Sequence, residues 1–156
     1  MPWISYPRVN RLFEVHERSF WDEVAPAADR AKGTAWREAP IPGVPVYVMP
    51  SQLGVVPNTV EYPLSLLQEQ FPHGLFENSI AYMLAMAVLE KVDVIGLWGV
   101  HQLGHYLRAQ VSIAYWVGVA EGLGIEVVVA PGSPLLASVY VAGRYGIDEE
   151  RRTAFL

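Results

Sequence analysis

The segment NSIAYMLAMAVLEKVDVIGLWGV occupies residues 78–100, and its hydrophobic pattern changes half-way along. Its first half is rich in helix-forming residues, and Asn78 or Ser79 stands where a helix cap is expected, which predicts a helix over residues 80–91. Its second half is apolar at all but one position, which predicts a strand over residues 92–99 that is buried on both faces. A helix followed directly by a buried strand is typical of α/β proteins.

The same alternation of elements continues on both sides of this segment. Further strands are predicted at residues 11–16, 44–49 and 125–130, and further helices at residues 63–71 and 103–123. Shorter helical segments are predicted at residues 20–24, 27–32 and 148–155, and a turn or a helix is predicted at residues 133–137. Strands that alternate with helices form parallel sheets with helices on both faces. We therefore predict a single Rossmann-like three-layer α/β domain over residues 1–156, with a mainly parallel sheet of about four strands.

Composition narrows the class of function. The chain has 156 residues, 52% of them hydrophobic and 17% charged, which suits one folded domain with a core. It has no cysteine, which excludes disulfides, thiolate zinc sites and a cysteine nucleophile. The net charge of −5 counts against a nucleic-acid-binding protein. The sequence also lacks the glycine-rich dinucleotide motif, the Walker loop and the nucleophile elbow of α/β-hydrolases.

The sequence gives no sign of a membrane segment. Its longest apolar runs are interrupted by charged residues, and its first residues lack the apolar core of a signal peptide. We therefore expect no membrane partner and a cytoplasmic location, which is the host cytoplasm if the protein is viral.

Candidate ligand-binding residues lie where the predicted strands end, because parallel α/β sheets bind ligands at that edge. They are Glu14, His16, Asn78, Ser79, His101, Arg108, Tyr115 and Ser133. Asn78 and Ser79 stand at a predicted helix N-terminus, which attracts phosphate through its amide groups and dipole. The alternative for both residues is simple capping of the helix.

The other candidates carry comparable alternatives. Glu14 and His16 lie on one face of a strand, where they could bind a ribose diol or act as acid and base, or merely form an exposed strand end. Arg108 could pair with a phosphate and shares a helix face with Tyr115, although a surface role is equally compatible with its position. Ser133 follows a Pro-Gly turn and could contact a ligand or cap the next helix.

Histidines at positions 101 and 105 have a spacing that metal sites use. However, a glycine lies between them and no third ligand is evident, so we expect no metal site and no cofactor. His101 is kept as a candidate ligand contact.

The segments quoted above, together with GIEVVVAPGSPLL at residues 124–136, resemble the nucleotide-binding core of small bacterial CMP-sialic-acid sialyltransferases and of hydroxymethylpterin diphosphokinase-like proteins. The chain also resembles short proteins of tailed phages that carry an Arg-x-Phe-Glu-x-His strand, here at residues 11–16. The resemblance covers roughly residues 11–16 and 44–137. It implies that Asn78 and Ser79 contact a nucleotide and that Ser133 shapes the neighbouring loop.

The departures from the sialyltransferase pattern suggest a function without catalysis. The glycine-rich first strand and loop are missing, and His101 stands where those enzymes have an aspartate. By analogy with phage proteins that sequester nucleotide immune signals such as cyclic ADP-ribose species, we expect a non-catalytic anti-defence protein that binds a nucleotide-derived molecule. A glycosyltransferase-like enzyme that uses a nucleotide sugar is the alternative, and a structural or host-interaction protein is a third possibility.

Such sequestering proteins are commonly oligomers. We therefore expect a homo-oligomer in which a neighbouring copy completes the ligand site. The apolar helix over residues 113–120 is the candidate interface.

Overall fold

The structure is a computed structural model of the chain, a mixed α/β protein whose paired strands are parallel in the part described. It describes residues 9–17, 19–20, 41–55, 57–100, 107–133 and 135–136, with the side chains of residues 107 and 108 excepted. The chain divides into two compact units, Met1–Leu66 and Leu67–Leu156.

The first unit contains a sheet of three short strands in the order in which they follow along the chain. These strands are β1 (Leu12–Glu14), β2 (Val46–Val48) and β3 (Thr59–Glu61), and both pairings are parallel. Valines alternate through the central strand, so Val46 and Val48 point into the core and are fully buried. The predicted strands at residues 11–16 and 44–49 are therefore confirmed, with shorter bounds.

Strand β3 lies between the predicted strand at residues 44–49 and the predicted helix at residues 63–71, where no element is predicted from the sequence. It has only three residues and is flanked by Pro57 and Pro63, so it shows no alternation long enough to detect. The link from β2 to β3 contains a 3-10 helical turn at Pro50–Gln52. Gly54, whose φ is +75°, then donates its amide hydrogen to Oγ1 of Thr59 over 2.9 Å, which fixes the start of β3.

The second unit contains one helix–strand–helix–strand succession. It consists of α2 (Ser79–Leu89), β4 (Val94–Leu97), α3 (Leu107–Gly122) and β5 (Glu126–Val129), after a helix α1 (Leu64–Gln70) in which the unit boundary falls. Strands β4 and β5 pair in parallel, and α2 and α3 pack against each other. These elements confirm four predictions: the helices at residues 63–71 and 80–91 and the strands at residues 92–99 and 125–130. The predicted helix at residues 103–123 is confirmed from residue 107 onward.

Other predicted segments have a different outcome. Residues 135 and 136 form a turn, which is one of the two structures predicted for residues 133–137. The predicted helices at residues 20–24, 27–32 and 148–155 lie outside the described residues, apart from Phe20.

The predicted sheet differs from the one observed. The described strands form a three-stranded and a two-stranded sheet, so a single sheet of about four strands is not confirmed. The prediction that β4 is buried on both faces is wrong, because Ile95 and Leu97 are buried while Val94 is 53% exposed. An apolar run has the same composition whether packing covers one face or two, so the sequence could not show this difference.

The core of the second unit centres on α3. Ile113, Trp116, Val117 and Ala120 recur with helical spacing and are buried. The indole of Trp116 packs between aromatic neighbours at 5.2–5.3 Å and donates from Nε1 to the carbonyl of Leu75 over 2.7 Å. The helix face proposed as an oligomer interface is therefore core at these positions, because its large side chains fill the interior of their own unit.

Gly74 allows a close approach beside this aromatic core. A Cβ added at Gly74 would lie 3.0 Å from the carbonyl oxygen of Phe71 and 3.0 Å from the rings of Phe76 and Trp116. We expect Gly74→Ala to lower the free energy of unfolding by about 1–3 kcal/mol, the usual cost of overpacking. Urea denaturation measures this, and Gly122→Ala is the control because nothing lies within 4 Å of its added Cβ. Equal stability of the two variants would contradict the prediction.

Within the described ranges, each helix is too short or too polar to cross a membrane.

Candidate functional site

Asn78 caps the N-terminus of α2. Its backbone is extended, and its side-chain Oδ1 accepts the amide hydrogen of Ala81 over 3.0 Å. This is the standard geometry of an asparagine cap, in which the side chain replaces a missing helical carbonyl. The predicted cap is confirmed.

The same side chain also connects the two helices of the second unit. Nδ2 of Asn78 donates to the carbonyl of Ala109 and to Oγ of Ser112, both over 2.9 Å. The Ser112 hydroxyl, which is fully buried, donates to the carbonyl of Ala109 over 2.8 Å. Both amide hydrogens of Asn78 are therefore used within the protein, and a second lone pair on Oδ1 is its remaining hydrogen-bonding capacity. A ligand contact from this side chain stays a prediction.

The loops that follow β4 and β5 meet at the carboxyl edge of the two-stranded sheet. Oγ of Ser133 accepts from the amide of Leu135 over 3.3 Å and donates to the carbonyl of Val100 over 3.4 Å. Gln110, on α3, donates from Nε2 to the carbonyl of Leu135 over 2.7 Å. Ser133 therefore stabilises its own turn, and in the described residues no helix follows that it could cap.

These hydrogen bonds join the start of α2, the first turns of α3 and two strand-end loops into one corner of the second unit. We refer to it as the strand-end corner, and define it by Asn78, Ser79, Val100, Gln110 and Ser133. In the described part of the chain, the amide groups of Ser79 and Ile80 donate to no protein acceptor. They are the free first amides of a helix, which are the groups that bind anions.

The remaining candidate residues of the second unit are Tyr115 and Arg108, which lie on α3, and His101. Tyr115 is half-buried, and its ring meets that of Trp116 edge to face at 5.3 Å. Arg108 lies in the first turn of α3, but its side chain is outside the described part of the chain. His101 lies outside the described residues altogether.

Glu14 and His16 belong to the first unit and contact each other, but β1 ends at Glu14 and His16 lies in a bend beyond it, so the two residues do not share a strand face as predicted. Oε1 of Glu14 accepts from the backbone amide of His16 over 3.1 Å and lies 2.7 Å from its Nδ1. Glu14 is buried, whereas the His16 side chain is partly exposed and stacks on Phe20 at 4.7 Å. A carboxylate only accepts hydrogen bonds, so the short contact with Glu14 requires a hydrogen on Nδ1 of His16.

Polar groups from the loop after β2 approach the same strand end. Gln52 is fully buried and donates to the carbonyl of His16 over 3.5 Å. The hydroxyl of Ser51 donates to a carboxylate oxygen of Glu17. The carboxyl ends of β1 and β2 thus form a second polar cluster, within the first unit.

Gln110 and Ser112 were not predicted as site residues. Both lie inside a helix whose sequence gives no local sign that these two positions face neighbouring loops. Their partners in other elements, Asn78 and Leu135, are 25 or more residues away, so only the fold reveals these contacts.

In the part of the chain that the structure describes, no group of three or more histidine, aspartate or glutamate side chains is arranged to hold a metal ion.

Comparisons with known proteins give no relative. No protein-family model, curated protein or solved structure matches the chain. The resemblance to sialyltransferase-like and phage proteins stays a prediction.

Proposed function

We propose that this protein binds a nucleotide-derived small molecule, of the ADP-ribose or cyclic-nucleotide type, and sequesters it without chemical change. The observation that carries the proposal is the strand-end corner, where the amides of Ser79 and Ile80 donate to no acceptor among the described residues. An anionic group at this position would receive two hydrogen bonds and the favourable end of the α2 dipole. A phage anti-defence role would follow if the bound molecule is an immune signal.

The architecture around the corner supports this proposal. Parallel α/β units bind ligands beyond the carboxyl ends of their strands, where loops of adjacent strands form a crevice. Here the loops after β4 and β5 are held together by Ser133, and the helix amides lie on the neighbouring element α2. The donors are backbone groups fixed by hydrogen bonds, so little ordering is needed when a ligand binds.

The test is a calorimetric and thermal-shift screen of the full chain. The ligands are ADP-ribose, its cyclic isomers, cyclic dinucleotides and CMP. Tight binding, with the ligand recovered unchanged after heat denaturation, is the expected result. A chemically altered ligand would support the enzyme alternative, and absence of binding across the whole series would overturn the proposal.

The substitution Arg108→Ala tests whether Arg108 contacts the ligand. A cation in the first turn of α3, next to the strand-end corner, would pair with a phosphate of the ligand. We expect this substitution to weaken binding by about 1.5–3 kcal/mol in calorimetry, the usual worth of a charged hydrogen bond. Arg30→Ala is the control for loss of one positive charge, and equal affinities of the two variants would remove Arg108 from the site.

The enzyme alternative has one specific observation in its favour. The buried carboxylate of Glu14 orients the ring of His16, which is the arrangement by which a histidine base is positioned in many active sites. If a nucleotide sugar is turned over, His16→Gln should abolish turnover and leave the affinity for the intact ligand within about threefold.

A further inference from the structure

Glu14 is a carboxylate on the buried face of the three-stranded sheet. It pairs in register with Val48, whose side chain is fully buried, and Glu14 itself is only 8% exposed. Partners in register project to the same side of a sheet, so the carboxylate lies beside the valine core of the first unit. An ionised group in such a place is unfavourable unless hydrogen-bond donors and an opposite charge compensate it.

Only one of the two carboxylate oxygens of Glu14 is occupied. Oε1 accepts from the backbone amide of His16 over 3.1 Å and lies 2.7 Å from its Nδ1. In the part of the chain that the structure describes, Oε2 receives no donor, and no lysine or arginine forms an ion pair with this carboxylate. Glu14 therefore keeps an unused acceptor although it is more than nine-tenths buried, which is rare for a polar group in a folded protein.

A water molecule alone does not compensate this carboxylate. Water donates a hydrogen bond to a buried acceptor but brings no charge. The imidazole of His16 donates from Nδ1 even in a neutral form, so the negative charge of Glu14 stays uncompensated whenever the ring is neutral. Glu17, whose carboxylate accepts from the hydroxyl of Ser51, adds a second negative charge to the cluster. Among the described residues, the cluster is therefore acidic and has no fixed cation.

The cluster is open to solvent on the side of His16. The His16 side chain is 43% exposed and stacks on Phe20 at 4.7 Å, which holds the ring in one orientation. The cluster lies at the carboxyl ends of β1 and β2, the edge at which parallel α/β sheets bind ligands. Solvent, and hence a small ligand, reaches the immediate neighbour of the buried carboxylate.

We propose that Glu14 binds a cationic nitrogen group of a small ligand, an ammonium or a guanidinium, through Oε2. Such a group supplies the missing donor and the missing charge together, and hydrogen bonds between charged groups are roughly twice as strong as neutral ones. This site belongs to the first unit and does not rest on the proposed nucleotide site. The helix amides of that site favour an anion, so the two units carry sites of opposite charge preference.

The experiment titrates the full chain with methylguanidinium, butylammonium, methylurea and ribose. Methylurea has the planar shape and N–H donors of methylguanidinium without its charge, and ribose offers a neutral diol. The ring signals of the four histidines are followed by NMR at pH 8, above the usual titration range of imidazole. The His16 signal is assigned by its loss in His16→Gln. We expect both cations to shift this signal with an affinity at least tenfold higher than that of methylurea or ribose.

Glu14→Gln is the decisive variant, because an amide keeps one oxygen for the donors of His16 but presents an NH₂ group in place of Oε2. We expect it to weaken methylguanidinium binding at least tenfold. Glu17→Gln is the matched control. It removes one negative charge from the same cluster, at an exposed carboxylate that Ser51 already binds, and should change the affinity by less than about threefold.

The ligand series separates this proposal from its alternatives. Equal affinities for methylurea and methylguanidinium would show that Oε2 needs a donor but no charge, and would overturn the proposal. Tighter binding of ribose than of either cation would assign the cluster to a diol and overturn it as well. An unmoved His16 signal, or equal losses in Glu14→Gln and Glu17→Gln, would also overturn it and leave Oε2 with water only. If Glu14→Gln does not fold, the comparison of the four ligands on the unaltered chain decides alone.

Discussion

Trp116→Ala is expected to lower the free energy of unfolding by about 3–5 kcal/mol, the range measured for deletion of large buried aromatic side chains. The indole is fully buried in the second unit, where it contacts the rings of Phe71, Phe76 and Tyr115. Its removal leaves a cavity and also leaves the carbonyl of Leu75 without its donor. Urea denaturation monitored by circular dichroism measures the loss.

Two further substitutions make this prediction specific. Trp116→Phe keeps an aromatic ring but removes the N–H donor, so we expect an intermediate loss of about 1–3 kcal/mol. Trp98→Ala removes the same kind of side chain from an exposed position and should change stability by less than about 0.5 kcal/mol. Similar losses for Trp116→Ala and Trp98→Ala would contradict the assignment of Trp116 to the core.

The contrast between these two tryptophans shows what the sequence could and could not predict. Trp116 falls in an apolar stripe that helical spacing identifies, but this stripe is equally compatible with the oligomer interface that was expected there, and only the structure assigns it to the core. Trp98 falls in an apolar run that is equally compatible with one buried face or two. Gly96 is the sequence feature related to the position of Trp98, because a side chain at Gly96 would overlap the indole. This contact is known only from the structure.

Local signals accounted for most of the described elements. The Asn-Ser pair marks the start of α2, and the β-branched runs mark β4 and β5, because capping and periodicity are properties of neighbouring residues. The three-residue strand β3 escaped detection because its evidence is the register with β2, a contact between distant segments.

The candidate site was predicted less completely than the fold, for the same reason. The sequence indicated that Glu14 and His16 lie together and that Asn78 caps a helix, both of which are short-range relations. It could not indicate that the Asn78 amide also binds Ala109 and Ser112, since these contacts exist only once α2 and α3 are packed. Which polar groups the packing of α2 on α3 leaves available to a ligand therefore cannot be predicted from the sequence.

Asn78→Ala is expected to destabilise the protein by about 2–4 kcal/mol, because the substitution removes a helix cap and two hydrogen bonds between helices. The cap to Ala81 and the donors to Ala109 and Ser112 are lost together. Asn78→Asp separates these roles, since the new carboxylate still caps α2 but has no hydrogen to donate. Its loss of stability should be about half as large.

The same position also tests the anion site through charge. Asn78→Asp places a negative charge beside the free amides of Ser79 and Ile80, so we expect it to weaken binding of an anionic ligand at least tenfold. Glu77→Gln removes an exposed carboxylate from the residue before the cap and should strengthen binding about twofold to fivefold. Calorimetry with ADP-ribose measures both. Because the two substitutions change the local charge in opposite directions, affinities that move in the same direction would show that the ligand phosphate lies elsewhere than at the start of α2.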